Sequence, residues 1–179
     1  MNYTRTAIIL HWLVALLIFI AFPLGIYMHE LALSPTKLKL YSYHKWIGVT
    51  VFTLSLLRLL WRTTHQPPPL PSSITRWQQR AARIAHYLLY ALLIAVPVSG
   101  WLMSSAKGVQ TVWFGLLPLP DMVPRDKSLG ELLKTVHLGL NITLLTLVVV
   151  HLLAGLKHHF IDGDKIMSRM FFSNKVKSL

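Results

Sequence analysis

Three uncharged stretches, residues 6–28, 84–106 and 135–156, each offer the roughly twenty residues that a helix needs to cross a bilayer. A fourth, residues 41–61, is apolar in its middle and carries Lys45 and Arg58 near its ends, where long cationic side chains reach the interface. The pattern predicts an all-α integral membrane protein, a four-transmembrane-helix bundle with helices at about 6–28, 41–62, 77–106 and 131–160 and a tail at 161–179. Loops this short leave no room for a second globular unit, so residues 1–179 read as a single transmembrane domain. Pro23 and Pro97 are expected to bend the first and third spans. The run Gln66-Pro67-Pro68-Pro69-Leu70-Pro71 predicts a stiff extended connection, with the third helix starting after Ser73. The longest loop, residues 107–130, holds Trp113, Phe114, Leu116, Leu117 and Leu119 and is expected to lie on the membrane surface or cap the bundle.

Only 13% of residues are charged and 54% are hydrophobic, so the net charge of +12 does not mark a nucleic-acid binder; the basic residues flank the spans. With the N-terminus inside, eleven Lys and Arg fall on the inner side, among them Arg58, Arg62, Arg76, Arg80 and Arg83, against seven on the outer. The positive-inside rule then predicts that both termini are cytoplasmic. The first stretch is longer than a usual signal-peptide core and lacks a small-x-small cleavage site, so it is expected to be retained as a helix. The absence of cysteine excludes disulfides, covalent c-type haem attachment, and thiolate ligation of haem or iron–sulfur clusters.

Histidine is left to carry a metal. His137 and His151 lie fourteen residues apart in one uncharged span, so both leave the same helix face, about 20 Å apart along the axis. His11 lies about two turns from the inner end of the first helix and shares a level with His151; His44, near the outer end of the second helix, shares a level with His137. Each level thus offers two imidazoles from different helices to opposite faces of one haem. A single histidine of this kind commonly makes an interhelical hydrogen bond, but four at two matched depths argue for a shared cofactor. Zinc would ask for four ligands at one place. A proton or metal pathway would ask for mid-membrane acids, and the spans contain no central Asp or Glu.

One turn after three of these histidines stands a small residue, Ala15, Gly48 or Gly155, leaving room for a flat macrocycle; Asn141, after His137, departs from that pattern. Small residues also serve plain helix packing. His86 falls near the inner level and is expected to bond a haem propionate or to pack rather than to ligate. His158 and His159 fall at the cytoplasmic boundary, and His29 and His65 fall in loops. Arg58, Arg62 and Arg83 at the inner side, and Lys45, Arg125, Lys127 and Lys134 at the outer, are candidates to neutralise propionates, although setting topology explains them equally well.

The ordered motifs Leu10-His11-Trp12-Leu13, Tyr43-His44-Lys45-Trp46-Ile47-Gly48, Leu57-Arg58-Leu59-Leu60-Trp61-Arg62 before the prolines, Ala85-His86, and Leu156-Lys157-His158-His159-Phe160-Ile161-Asp162 span essentially the whole chain. Together they resemble the bacterial di-haem cytochrome b561 family, including its superoxide oxidase-like members. The resemblance implies an inner-membrane bundle with two haem b groups, the inner held by His11 and His151 and the outer by His44 and His137. It also implies electron transfer between an external donor, with superoxide as the candidate, and the quinone pool, with ubiquinone as substrate. A basic outer mouth including Lys45, Lys127 or Lys134 would steer an anionic donor, and His158 or His159 would relay protons to a quinone. Two other readings stay open: a membrane-anchor cytochrome b subunit of a larger dehydrogenase or hydrogenase complex, and a haem-free transporter or channel.

Overall fold

The computed structural model describes residues 3–69, 74–164 and 166–171. Four long helices account for most of them: α1 (Arg5–Glu30), α2 (Pro35–Thr64), α3 (Arg76–Ala106) and α4 (Lys127–Phe160). α1, α3 and α4 are long and apolar enough to cross a membrane. α2 has the length, at 30 residues, but carries lysines at one end and Arg58 and Arg62 at the other. Of the sequence expectations, Leu70 and Pro71 of the proline run, the helix start at Ser73 and the basic residues Lys165, Lys175 and Lys177 lie outside the described residues.

The helix starts follow local chemistry. The Thr4 Oγ1 accepts the Ala7 amide, Ser34 Oγ accepts the Lys37 amide with Pro35 following it, and the Gln78 side chain reaches back to the Thr75 amide. Asp126 caps α4 through the Leu129 amide at 3.0 Å. These caps place the start of α2 at Pro35 instead of about 41, and that of α4 at Lys127 instead of about 131. Pro23 and Pro97 both lie inside uninterrupted helices.

Neighbouring helices in the sequence pack side by side and antiparallel. At the end of the bundle near the N-terminus, Trp61 Nε1 donates to Thr4 Oγ1 at 2.9 Å, and Trp12 Nε1 donates to the Met170 carbonyl of a C-terminal 3₁₀ turn (Met167–Met170). At the opposite end, Lys107 pairs with Glu131. That opposite end is closed by a hairpin, β1 (Val112–Trp113) against β2 (Leu117–Pro118), with Trp113 opposite Leu117. Its turn runs through Phe114 and Gly115, both with positive φ, and Gly115 supplies the freedom that geometry needs. Phe114, strained there, is braced against Trp46 and Trp113, with ring centres 5.4 and 5.2 Å away.

The hairpin is fastened to α2. Lys45 Nζ donates to the Val109 carbonyl, Trp46 Nε1 to the Val112 carbonyl at 2.7 Å, and Trp113 Nε1 to Thr50 Oγ1. Leu116 and Leu117 stay exposed at its tip, so the loop caps the bundle while leaving apolar side chains outside. The core is a narrow aliphatic waist halfway along the bundle: Val14, Val51, Leu92, Leu93 and Leu144, at least one from each helix.

Candidate haem-binding centre

The four helices repeat one spacing. α1 carries His11 and Gly25, α2 His44 and Arg58, α3 His86 and Gly100, α4 His137 and His151, each pair fourteen residues apart. Fourteen residues are just under four turns, so each pair shares a face and reaches two levels about 20 Å apart. The waist separates the levels, with Leu144 midway between His137 and His151.

At the hairpin level, His44 and His137 line one cavity, together with Phe22, Gly48, Val96 and Asn141. Each ring lies against a glycine of the preceding helix. A Cβ on Gly25 would approach His44 Cε1 to 3.2 Å, and a Cβ on Gly100 would approach His137 Cε1 to 3.0 Å. Any side chain at these positions would compete with an imidazole for the same space. His137 Nδ1 contacts the Val96 carbonyl at 3.1 Å and Ser99 Oγ at 2.9 Å. Because a carbonyl only accepts, Nδ1 must carry the proton, which leaves Nε2 with its lone pair, the tautomer a metal requires. The buried Nδ1 of His44, close to the Ala21 backbone, makes no well-formed hydrogen bond. Gly48, which lines the cavity, has no atom within 4 Å of a built Cβ, so the wall beside His44 is open there.

At the other level three imidazoles meet. The ring centres of His11 and His151 lie 6.4 Å apart with planes at 76°, and those of His86 and His151 lie 5.4 Å apart. Two imidazoles on opposite faces of one metal, each bound at about 2 Å, place their ring centres about 6 Å apart. The 6.4 Å separation accommodates that arrangement, whereas the 5.4 Å between His86 and His151 is shorter than it requires; both contacts are edge-to-face. The residues therefore fit the donor set of two bis-imidazole haems: imidazoles from separate helices at each level, a glycine beside each ring at the hairpin level and an open flank.

The remaining candidates fall elsewhere. His158, half-buried, has Nδ1 at 2.6 Å from Asp164 and 3.1 Å from Asp162, while His159 is exposed and packs on Phe160. Asp164 escaped the sequence reading and Asp162 entered it only as the end of a motif, although their spacing of six and four residues from His158 at a helix end was a legible signal. Lys45 is engaged by the loop carbonyls, and Lys127 and Lys134 are exposed. His29 pairs with Glu30 and His65 stacks on Trp61, so neither joins a histidine level. Ser99, Gly25 and Gly100 were also missed, because a contact between helices leaves no local pattern.

Comparison with known proteins identifies the family. The family model described as prokaryotic cytochrome b561 matches residues 2–173. The chain is 35% identical over 162 residues to "Cytochrome b561 homolog 2" of Escherichia coli (strain K12), covering 89% of this chain and 86% of that one. It is 28% identical over 169 residues to "Probable superoxide oxidase CybB" of Yersinia pestis, covering 94% and 95%. "Cytochrome b561 homolog 1" of Escherichia coli (strain K12) is 27% identical over 178 residues, covering 94% and 96%. A helical bundle with apolar spans and paired imidazoles, matched over nearly its whole length, makes this chain a member of the prokaryotic cytochrome b561 family, a membrane cytochrome that binds b-type haem and transfers electrons.

Proposed function

We propose that residues 1–179 form one four-span domain holding two haem b groups and passing electrons between an external donor, superoxide in the leading reading, and ubiquinone. His11 and His151 hold the haem nearer the termini, and His44 and His137 hold the one beneath the hairpin. Both termini face the cytoplasm across a bacterial inner membrane, as the distribution of basic residues favours. The observation that carries the reading is the fourteen-residue repeat, which brings imidazoles from separate helices to two levels with an aliphatic waist between. Bound haem supplies a one-electron iron couple at each level.

The chain's own residues supply the rest. His137 is oriented by Ser99 and the Val96 carbonyl, which engage its Nδ1 and leave its Nε2 to the haem iron. Lys127 and Lys134, exposed at the hairpin end, would attract an anion; Lys45, held by the Val109 and Gln110 carbonyls, would act chiefly by shaping that mouth. At the other end, His158 is better placed than His159 to pass protons to a quinone, since Asp164 fixes its ring and a cleft lined by Thr75 and Gln78 adjoins it. Similarity to a protein named as a probable superoxide oxidase supports the choice of donor.

Stopped-flow mixing of purified protein with superoxide is the test. Rapid haem reduction, followed by reoxidation on adding ubiquinone, is the expected course. Haems that superoxide leaves oxidised would refute the donor, and quinone reduction at full rate after replacing both His158 and His159 would refute the relay.

A further inference from the structure

Three helices place an imidazole at the level near the termini, and α2 places Arg58 there, fourteen residues from His44. Its guanidinium lies 5.3 Å from the centre of the Tyr90 ring, and that of Arg62, one turn on, lies 5.6 Å from the same ring. Tyr90 is itself one turn after His86, so α3 offers the pair a surface facing the histidines. Arg58 is close enough to His11, His86 and His151 to act electrostatically on each.

Two like charges on one phenol ring repel, and no acidic side chain among the described residues balances them. The chain contains six acidic residues in all. Glu30, Asp121, Asp126 and Glu131 belong to the hairpin end, while Asp162 and Asp164 are engaged by Lys157 and His158. Half-buried guanidiniums without a counter-charge are costly, whereas Arg83 is exposed. Tyr3 adds a phenol to the cluster; burial pushes its pKa up against the pull of Arg62 and Arg58, so it stays a neutral hydroxyl able to donate. One turn before Arg58, the completely buried Ser55 hydroxyl is also without a partner among the described residues.

We propose that Arg58 and Arg62, spread across Tyr90, bind the propionate carboxylates of the haem held by His11 and His151. The inference rests on the two-haem reading above. The planar fork of a guanidinium matches a carboxylate through two parallel hydrogen bonds, and haem brings two carboxylates to two arginines. An acidic phospholipid headgroup offers the other source of an anion, and the experiment separates the two.

Redox-difference infrared spectra of protein carrying haem labelled with carbon-13 at the propionate carboxyls read the contact directly. In R58Q/R62Q the labelled bands shift, and one of the two midpoint potentials falls, because a cation beside the site favours the added electron. A tenfold change in the redox equilibrium corresponds to about 59 mV for one electron, and a drop of at least that size is expected. R80Q, at an exposed arginine of α3, leaves bands and potentials unchanged. R58K keeps the charge but loses the fork, so it shifts the bands and guards against a double variant that fails to fold.

Unmoved propionate bands in variants that still hold haem would overturn the assignment. So would an equal potential drop in protein loaded with the dimethyl ester of haem, since the arginines would then act as free charges. Loss of a tightly held phospholipid with the bands unmoved would give the site to a headgroup instead. Absence of b-type absorption from the unmutated protein would refute the two-haem reading itself, a result distinct from any of these.

Discussion

Gly100→Ala puts one methyl group against the ring of His137. The new Cβ would lie 3.0 Å from Cε1, 3.4 Å from Nδ1 and 3.6 Å from Nε2, whereas carbon atoms rest at about 3.5–4.0 Å. The ring has little room to retreat, because Nδ1 is held at 2.9 Å by Ser99 and 3.1 Å by the Val96 carbonyl, both on the helix that carries Gly100. Moving it by half an ångström gives up a hydrogen bond, about 1 kcal/mol, within an overpacking cost of about 1–3 kcal/mol. Alanine recovers about 1 kcal/mol of helix propensity, leaving a net penalty of up to about 2 kcal/mol concentrated at one imidazole. That is a loss of up to about thirtyfold in affinity for the haem beneath the hairpin. Reduced-minus-oxidised spectra and redox titration count haem per chain and identify which potential is lost. Gly139→Ala is the control, since its Cβ meets nothing within 4 Å and helix propensity alone should act. If Gly100→Ala retains both haems with unaltered potentials and melts like Gly139→Ala, the proposed crowding of His137 is wrong.

Alanine at His44 or at His137 should abolish the same redox wave, and alanine at His11 or His151 the other, while His86→Ala keeps both; a wave lost from His86→Ala but retained in His11→Ala would reassign the pair. Ser99→Ala removes a hydroxyl that supports the His137 Nδ1 proton, so the potential of the haem beneath the hairpin should rise slightly with no loss of haem, and an unchanged potential would count against that role. Hydrogen bonds from the Leu129 amide and the Ser128 hydroxyl hold the Asp126 carboxyl below its ordinary pKa. Its contribution to α4 is therefore present above the unfolded pKa and lost as pH falls through the lower folded value. Asp126→Asn should keep the cap but flatten that acid limb in thermal unfolding, and a limb identical to the unmutated protein's would contradict the assignment.

The sequence made the four helices and the two histidine levels legible because apolar runs and fourteen-residue spacings are local facts. It placed the starts of α2 and α4 too late: Lys37, Lys39 and Lys127 read as loop residues, although Ser34-Pro35 and Asp126 are capping signals that outweigh the charge of the first turn. The hairpin was hidden because its strands are two residues long and its turn begins at a phenylalanine with positive φ, a position better suited to glycine. The repeat itself was only half visible. On α4 both members are histidine, but on α1 and α3 the second member is a glycine, whose role shows only when a ring from the next helix fills the space beside it.

The aliphatic waist has a consequence for bioenergetics. Val14, Val51, Leu92, Leu93 and Leu144 offer no hydroxyl or carboxyl along which a proton could hop between the levels. Charge crossing there would travel as a bare electron, uncompensated within the protein. In a sealed vesicle each turnover would then polarise the bilayer, and the voltage so built would oppose the next, by about 2.3 kcal/mol for a full crossing at 100 mV.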